Sequence, residues 1–291
     1  MEQYDVIVIG AGNGGLAAAA TLAEKGKRVI LFERHNIPGG CGSSFRRGRF
    51  EFEIALHQLS HMGTPENPGP LREQFARYGT LEEIEWIERK ELFRVNFPDG
   101  TGVSLPADRE KCVAHLCKEF PAEAEAIKEY FKVVYDFCDE STAFAAQSAK
   151  STGEPGALKK LIMKTGFPRM YPTLAKYALK STQEVLDEFF KDPKLQVALS
   201  AYWCFMGMPP ERFPFAILAK CTYFYTETKP HYLRGTSMMM NQAIMEAVGR
   251  MGGVVRLNCG VKRIVLENGA AVGVVDENGV ESQKYGITFG V

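Results

Sequence analysis

The stretch Tyr4-Asp5-Val6-Ile7-Val8-Ile9-Gly10-Ala11-Gly12-Asn13-Gly14-Gly15 decides the fold. Tyr4 to Ile9 is a β-branched run of the kind that forms a strand buried on both faces. Glycines at 10, 12 and 15 follow at once, and Leu16 to Lys25 then reads as an alanine-rich helix ended by Gly26. Lys27 to Phe32 makes a second strand that closes on Glu33. Each piece has a physical task. Gly10 permits the tight turn, Gly12 lets the backbone approach a pyrophosphate, and Gly15 lets the helix lie close on the strand. The helix start offers unpaired N–H groups and the positive end of its dipole to phosphates. Glu33 can accept hydrogen bonds from a ribose diol, and its carboxylate would repel a 2′-phosphate. A lone G-x-G-x-x-G is weak, but strand, helix, second strand and an acid about 20 residues on supply the context that the motif requires. Gly10, Gly12, Asn13, Gly14, Gly15 and Glu33 are therefore the expected nucleotide-binding residues.

Past Glu33 the chain continues Arg34-His35-Asn36-Ile37-Pro38-Gly39-Gly40 rather than with a further helix and strand of the same kind. Here it resembles the large flavoprotein superfamily whose fingerprint runs from G-x-G-x-x-G through the ribose acid to a Gly-Gly pair. That resemblance implies FAD, and adds Arg34, Gly39, Gly40, Ser43 and Ser44 to the expected cofactor contacts. The two serines read equally well as ordinary turn residues.

Within that superfamily, Gly39-Gly40-Cys41-Gly42-Ser43-Ser44-Phe45, Arg49-Phe50-Glu51-Phe52-Glu53 and Leu56-His57 are similar to the phytoene desaturase, carotenoid isomerase and retinol saturase family. Ser181 to Pro193, Gly207-Met208-Pro209-Pro210, Tyr232-Leu233-Arg234-Gly235 and Val261-Lys262-Arg263-Ile264 follow in the same order. The resemblance implies an α/β fold: a Rossmann-like FAD-binding domain of the glutathione-reductase-like flavoprotein type, with an inserted α+β substrate domain. It implies a lipophilic small-molecule substrate, a carotenoid-like polyene or retinoid, with hydride passing between a substrate carbon and flavin N5. It puts the backbone of Val261 at the adenine and His57 beside the isoalloxazine as the catalytic candidate; a histidine packed in the core or on a turn explains His57 equally. Three departures stand out. Cys41 replaces a frequently basic residue, Thr236 replaces a frequent second glycine, and the family's long C-terminal half does not follow. Gln283 to Val291 also leaves the expected strand pattern.

The rest of the chain divides by pattern. Residues 1–62 are expected as the first part of the FAD-binding domain, 63–228 as a mostly helical substrate domain and 229–291 as the second part. Phe93 to Leu105 alternates around Pro98-Asp99-Gly100, a hairpin signal. Asp108 to about Lys150 has helical spacing, with Asp108 as N-cap and Ile127, Phe131, Val134 and Phe137 on one face. Further helices are expected over Thr182–Phe190, Lys194–Phe205 and Thr236–Gly249. Val254–Leu257, Val261–Leu266 and Ala271–Val275 read as strands, the last two joined by Asn268-Gly269.

Composition limits the alternatives. Lys plus Arg equal Asp plus Glu at 35 each, so no basic imprint points to nucleic acid. Seven dispersed cysteines without a C-x-x-C pair read as free thiols of a reducing compartment. Acids and no base precede the first apolar run, opposite to a signal peptide. The expected location is cytoplasmic, with peripheral membrane contact through 157–180, where Lys159, Lys160, Lys164, Arg169, Lys176 and Lys180 alternate with apolar residues. A solvated helical face explains those charges as well. Met206, Met208 and Met238–Met240 suit either an apolar tunnel or core filling. No His, Cys or carboxylate set has metal-ligand spacing, and G-x-S-x-G is absent. Two other readings stay open: a flavoenzyme acting on another substrate such as an amine, and a non-catalytic chain that binds nucleotide or lipid.

Overall fold

The computed structural model describes residues 3–149, 166–284 and 288–290. The chain forms two compact units, Met1–Glu88 with His231–Val291, and Arg89–Pro230. The first is the nucleotide unit. The second is an insert that begins 26 residues later than residue 63, because Pro70–Arg77 forms a helix whose flanking residues belong to the nucleotide core. Phe75, Tyr78 and Ile84 pack there, and Tyr78 is tied to the first helix by its hydroxyl, 2.7 Å from Thr21 Oγ1.

At the centre of the nucleotide unit is a parallel sheet in the order Val254–Arg256, Val29–Phe32, Val6–Ile9, Thr288–Gly290. Its register pairs Val6 with Val29 and Ile9 with Phe32. The period of two sorts the side chains cleanly. Val6, Val8, Val29 and Leu31 pack on one face with Leu16, Ala19, Ala20 and Ala23 of the first helix (Asn13–Glu24, the glycine helix). Ala243, Ile244, Ala247 and Val248 of a second helix (Thr236–Arg250, the return helix) complete that layer. Ile7, Ile30 and Phe32 face the other way, onto Tyr4, Cys259 and Val274. Each fully buried Val, Leu or Ile contributes roughly 1.5–3 kcal/mol, so this sandwich, rather than helix propensity, holds the unit together.

The tail departs from expectation: Thr288–Gly290 does form a strand, parallel to Ile7–Ile9. Before it, Val261–Glu267, Ala270–Asp276 and Glu281–Lys284 make an antiparallel meander, and Gln3–Tyr4 joins its edge in parallel. Asn268 (φ 50°) and Gly269 (φ 78°) are both left-handed, the geometry of a two-residue hairpin turn. Ser44–Arg47 and Phe50–Glu53 form a separate hairpin.

The insert starts with the expected hairpin, Phe93 opposite Leu105, turning at Gly100 (φ 83°). Asp108 caps Arg109–Glu119 by accepting from the Lys111 N–H at 3.2 Å. The helical run then breaks at Phe120-Pro121 and resumes as Ala124–Ala149. Ile127, Phe131, Val134 and Phe137 are at most 1% exposed and form the spine of the insert core. Ser181 and Glu184 cap Thr182–Phe189 reciprocally. The expected helix over Lys194–Phe205 is two pieces, Pro193–Ser200 and Trp203–Met206, separated where Tyr202 turns inward against Phe93 and Tyr225. Phe215–Glu227 is a further helix, buried through Phe215, Leu218, Ala219, Thr222 and Thr226.

Candidate functional site

Ile9 ends its strand and Gly10 turns the chain at φ 95°, where its N–H donates to Phe32 O at 2.7 Å. The glycine helix begins without a side-chain cap and without an acid in its first turn. A Cβ on Gly15 would lie 1.9 Å from Gly10 O, so only glycine lets the helix approach the strand this closely. A Cβ on Gly12 would meet nothing within 4 Å. That contrast separates a packing glycine from one that keeps space open. Asn13 and Gly14 are exposed at the same end. The result is a helix start with no side-chain cap and open space beside Gly12.

The Gly-Gly pair is brought against this turn. Gly39 N–H donates to Ala11 O at 2.6 Å, and Gly12 and Gly39 form a parallel bridge. A Cβ on Gly40 would lie 3.2 Å from Gly12 Cα. Glu33 stands beside them, half-buried, accepting from Ala11 N–H at 2.7 Å and His35 N–H at 2.8 Å. Each carboxylate oxygen keeps a second lone pair for a ligand hydroxyl. Cys259 N–H donates to Glu33 O and Asn258 N–H to His35 O, and Val261, two residues on, packs on the same buried cluster as Ile9. Gly10–Gly15, Glu33, Gly39, Gly40 and Val261, scattered over 250 residues, are thus gathered at one place.

The remaining expected residues have other positions. Arg34 is exposed. Ser43 Oγ–H donates to Gly40 O at 2.9 Å. Thr236 Oγ–H donates to Gly235 O at 2.6 Å, so across the 2.7 Å contact Ser44 must donate to Thr236 Oγ1. Both serine hydroxyls thus have protein partners that brace the turn. His57 lies exposed in the loop between Glu53 and Leu59. Burial lowers the pKa of the nearby His61, whose Nδ1 is 2.7 Å from Ser60 Oγ.

Residues not foreseen complete the arrangement. The return helix, too, lacks a capping side chain of its own, but Glu53 reaches its first turn from the hairpin. One carboxylate oxygen accepts from Ser237 N–H at 2.7 Å, and the other from Ser237 Oγ–H at 2.8 Å. Thr236 holds φ 67°, a left-handed value that explains why a glycine is the expected residue there. Asn241, fully buried, donates from Nδ2 to Gly42 O at 2.7 Å. Glu53 ends the Arg49–Glu53 stretch and Thr236 follows Gly235, but Ser237 and Asn241 belong to no motif.

Elsewhere, Lys159, Lys160 and Lys164 of the basic stretch lie outside the described residues. Lys176 and Lys180 both pair with Glu188, which reduces the charge available to a surface. Met240 fills core, whereas Met206 and Met239 are exposed. Among the described residues no group of His, Cys, Asp or Glu could hold a metal, and no helix is long and apolar enough to cross a membrane.

Residues 8–75 match the model of an NAD(P)-binding Rossmann-like domain. Over 278 residues the chain is 26% identical to the all-trans-retinol 13,14-reductase of Danio rerio, covering 94% of this chain and 44% of that protein. It is 27% identical over 284 residues to the chloroplastic prolycopene isomerase of Daucus carota, covering 96% and 45%. A protein of Danio rerio named inactive all-trans-retinol 13,14-reductase is 28% identical over 290 residues, covering 96% and 45%. The chain thus spans somewhat under half the length of these curated relatives. An oxidoreductase from Methanosarcina mazei superposes with a TM-score of 0.62 at 19% identity, covering 98% of this chain and 58% of that one. A putrescine oxidase variant gives 0.59 at 18% identity, covering 97% and 56%. The fold is therefore Rossmann-like with an insert.

Proposed function

We propose that this chain is the nucleotide-binding portion of an FAD-dependent oxidoreductase acting on a carbon–carbon bond of a long apolar polyene, carotenoid- or retinoid-like. The observation that carries the reading is the open, uncapped start of the glycine helix, faced by the Gly39–Gly40 turn and flanked by Glu33. The residues fit an adenine dinucleotide in each part. The N–H groups of Gly12 to Gly15, with the Asn13 amide beside them, would hold the pyrophosphate. Glu33 would accept from the ribose diol, with Ala11 and His35 fixing its orientation. The backbone at Val261 would border the adenine. A bound flavin supplies a centre that takes up or returns a hydride; the chain supplies orientation and a dry surround.

The polyene substrate rests on the relatives, which match both halves of the nucleotide unit and the whole insert. His57, exposed in its loop, is proposed as the residue that hydrogen-bonds substrate or tunes the flavin. A peripheral contact with anionic membrane through 157–180 belongs to the same reading, and chain that stays in solution during sedimentation with anionic vesicles would remove it.

The test is the visible absorption spectrum of the purified chain before and after FAD addition, followed through gel filtration. Flavin bands that travel with the protein support the cofactor; a colourless chain that takes up none overturns it for this polypeptide. Anaerobic bleaching by a retinoid or carotenoid but not by a diamine would support the substrate class, and the reverse pattern would replace it with an amine.

A further inference from the structure

We propose that Asn241 is the positioning residue that sets the Gly39–Gly42 turn for the cofactor's phosphates, so that nucleotide affinity is decided partly from the return helix. This rests on the dinucleotide reading above and names a determinant within that site.

Asn241 is out of place by the ordinary rules. It sits in the interior of Thr236–Arg250, where asparagine is a weak helix former, and it is 0% exposed. Its Nδ2 donates to Gly42 O at 2.7 Å, while its Oδ1 is buried without a hydrogen-bond partner. The amide cannot be turned round, because the oxygen would then oppose the Gly42 carbonyl, which can only accept. An unmet buried acceptor costs stability, and an apolar side chain of the same shape would avoid that cost. What the asparagine provides in exchange lies at the turn.

The turn needs an anchor. Gly39 (φ 112°) and Gly40 (φ 56°) are both left-handed, and glycine has more conformational freedom to lose than any other residue. Its contacts come from two sides. On one side Gly39 N–H is held by Ala11 O, and a Cβ on Gly42 would lie 2.9 Å from Asn13 Nδ2. On the other, a Cβ on Gly39 would fall 2.2 Å from Asn241 Nδ2, so the Asn241 amide lies flush along the turn from Gly39 to Gly42. The turn is gripped between two asparagines, one from each helix. Gly40 in turn backs Gly12, the residue that keeps the phosphate space open. Loosening Asn241 therefore loosens the wall of that space.

The experiment compares the chain with Asn241→Leu and Asn241→Ala by three readouts: melting without cofactor, hydrogen exchange of the peptide covering Gly39 to Ser44 without cofactor, and FAD titration by flavin fluorescence. The leucine variant is expected to melt at or above the parent temperature, since it removes an unmet acceptor. Its turn amides should exchange faster, and its FAD affinity should fall about 10-fold, or about 1.4 kcal/mol. The alanine variant should show the same exchange and affinity changes, which separates the lost amide from any crowding by leucine. Unchanged exchange and affinity in both variants would overturn the proposal. Faster exchange with unchanged affinity would overturn the role toward the cofactor. A parent chain that takes up no FAD would overturn the dinucleotide reading and the affinity claim with it, while the exchange comparison still decides whether Asn241 holds the turn.

Discussion

The glycine helix and the return helix begin side by side in the nucleotide unit, and they solve one electrostatic problem in opposite ways. Neither carries a capping side chain of its own. At the return helix the protein supplies the missing anion, since the Glu53 carboxylate takes both the N–H and the hydroxyl of Ser237. At the glycine helix no residue of the first turn is acidic, the Glu33 carboxylate takes only the Ala11 N–H just before it, and a Cβ on Gly12 would meet nothing within 4 Å. The positive end of a helix favours negative charge wherever it comes from. The start of the return helix is closed by the chain's own carboxylate; the start beside it is the one proposed above to take a ligand. The difference tells the two apart without reference to any motif.

Gly15 is the position least able to accept a side chain. An alanine there would put Cβ 1.9 Å from a backbone carbonyl, and a turn at positive φ has little room to yield. Gly15→Ala is expected to cost about 3 kcal/mol of stability in chemical denaturation; an undisturbed midpoint would show that the packing is not tight. Next comes the built-in anion. Glu53→Ala strips Ser237 of its partner at both atoms and also leaves Ile54 N–H, 3.1 Å away, without this acceptor. A loss of about 2 kcal/mol is expected, and a variant as stable as the parent would mean that solvent caps the helix as well.

Gly12→Ala sharpens the contrast. Its φ of −68° suits alanine and nothing blocks the methyl, so stability should hold or rise by up to about 1 kcal/mol. FAD affinity should nonetheless fall at least about 10-fold, because the methyl stands where the phosphates would. Equal affinity would place the ligand elsewhere. The smallest effect is expected at Asp5, which precedes the strand at the end away from the glycine turn. Arg28 holds it through a side-chain hydrogen bond at 2.8 Å and a backbone one at 2.8 Å, lowering its pKa from 3.8 to about 2. A depressed carboxylate contributes stability that is present above the unfolded pKa and lost as pH falls through the folded one. The parent should therefore lose a little stability between about pH 4 and pH 2 that Asp5→Asn does not, with nucleotide affinity unchanged in the variant. Parallel acid profiles would count against the pair.

Much of this was legible in the sequence, and the limit is instructive. Gly10 to Glu33 could be read because strand, turn, helix and acid are contiguous and each demands a particular residue type. The Asn268-Gly269 turn and the Asp108 cap were readable for the same reason. Glu53, Ser237 and Asn241 were not, since they meet across 184 residues or more and each is an ordinary residue at its own position. Thr236 was visible as a departure, yet only its φ of 67° says why glycine is expected there. Phe215–Glu227 was missed because its tyrosines, threonines and phenylalanines favour strands, and the packing of Phe215, Leu218 and Thr222 overrides that preference. No composition shift marks the start of the insert, since Phe75, Tyr78 and Ile84 belong to the nucleotide core by contact alone.

Because Glu53 and the Gly39–Gly42 turn wait for partners that follow the whole insert, the molecule has a timetable. During synthesis the glycine helix and its strands emerge first, but Ser237 comes 184 positions after Glu53. At about 5–20 residues per second, that is an interval of roughly 10–40 s. Through it the carboxylate has no helix to close, the two glycines have only one of their asparagines, and the alanine face of the glycine helix lacks its cover. The insert, continuous from Arg89 to Pro230, can fold within that time. The nascent chain thus exposes half of a sandwich until the return helix is made.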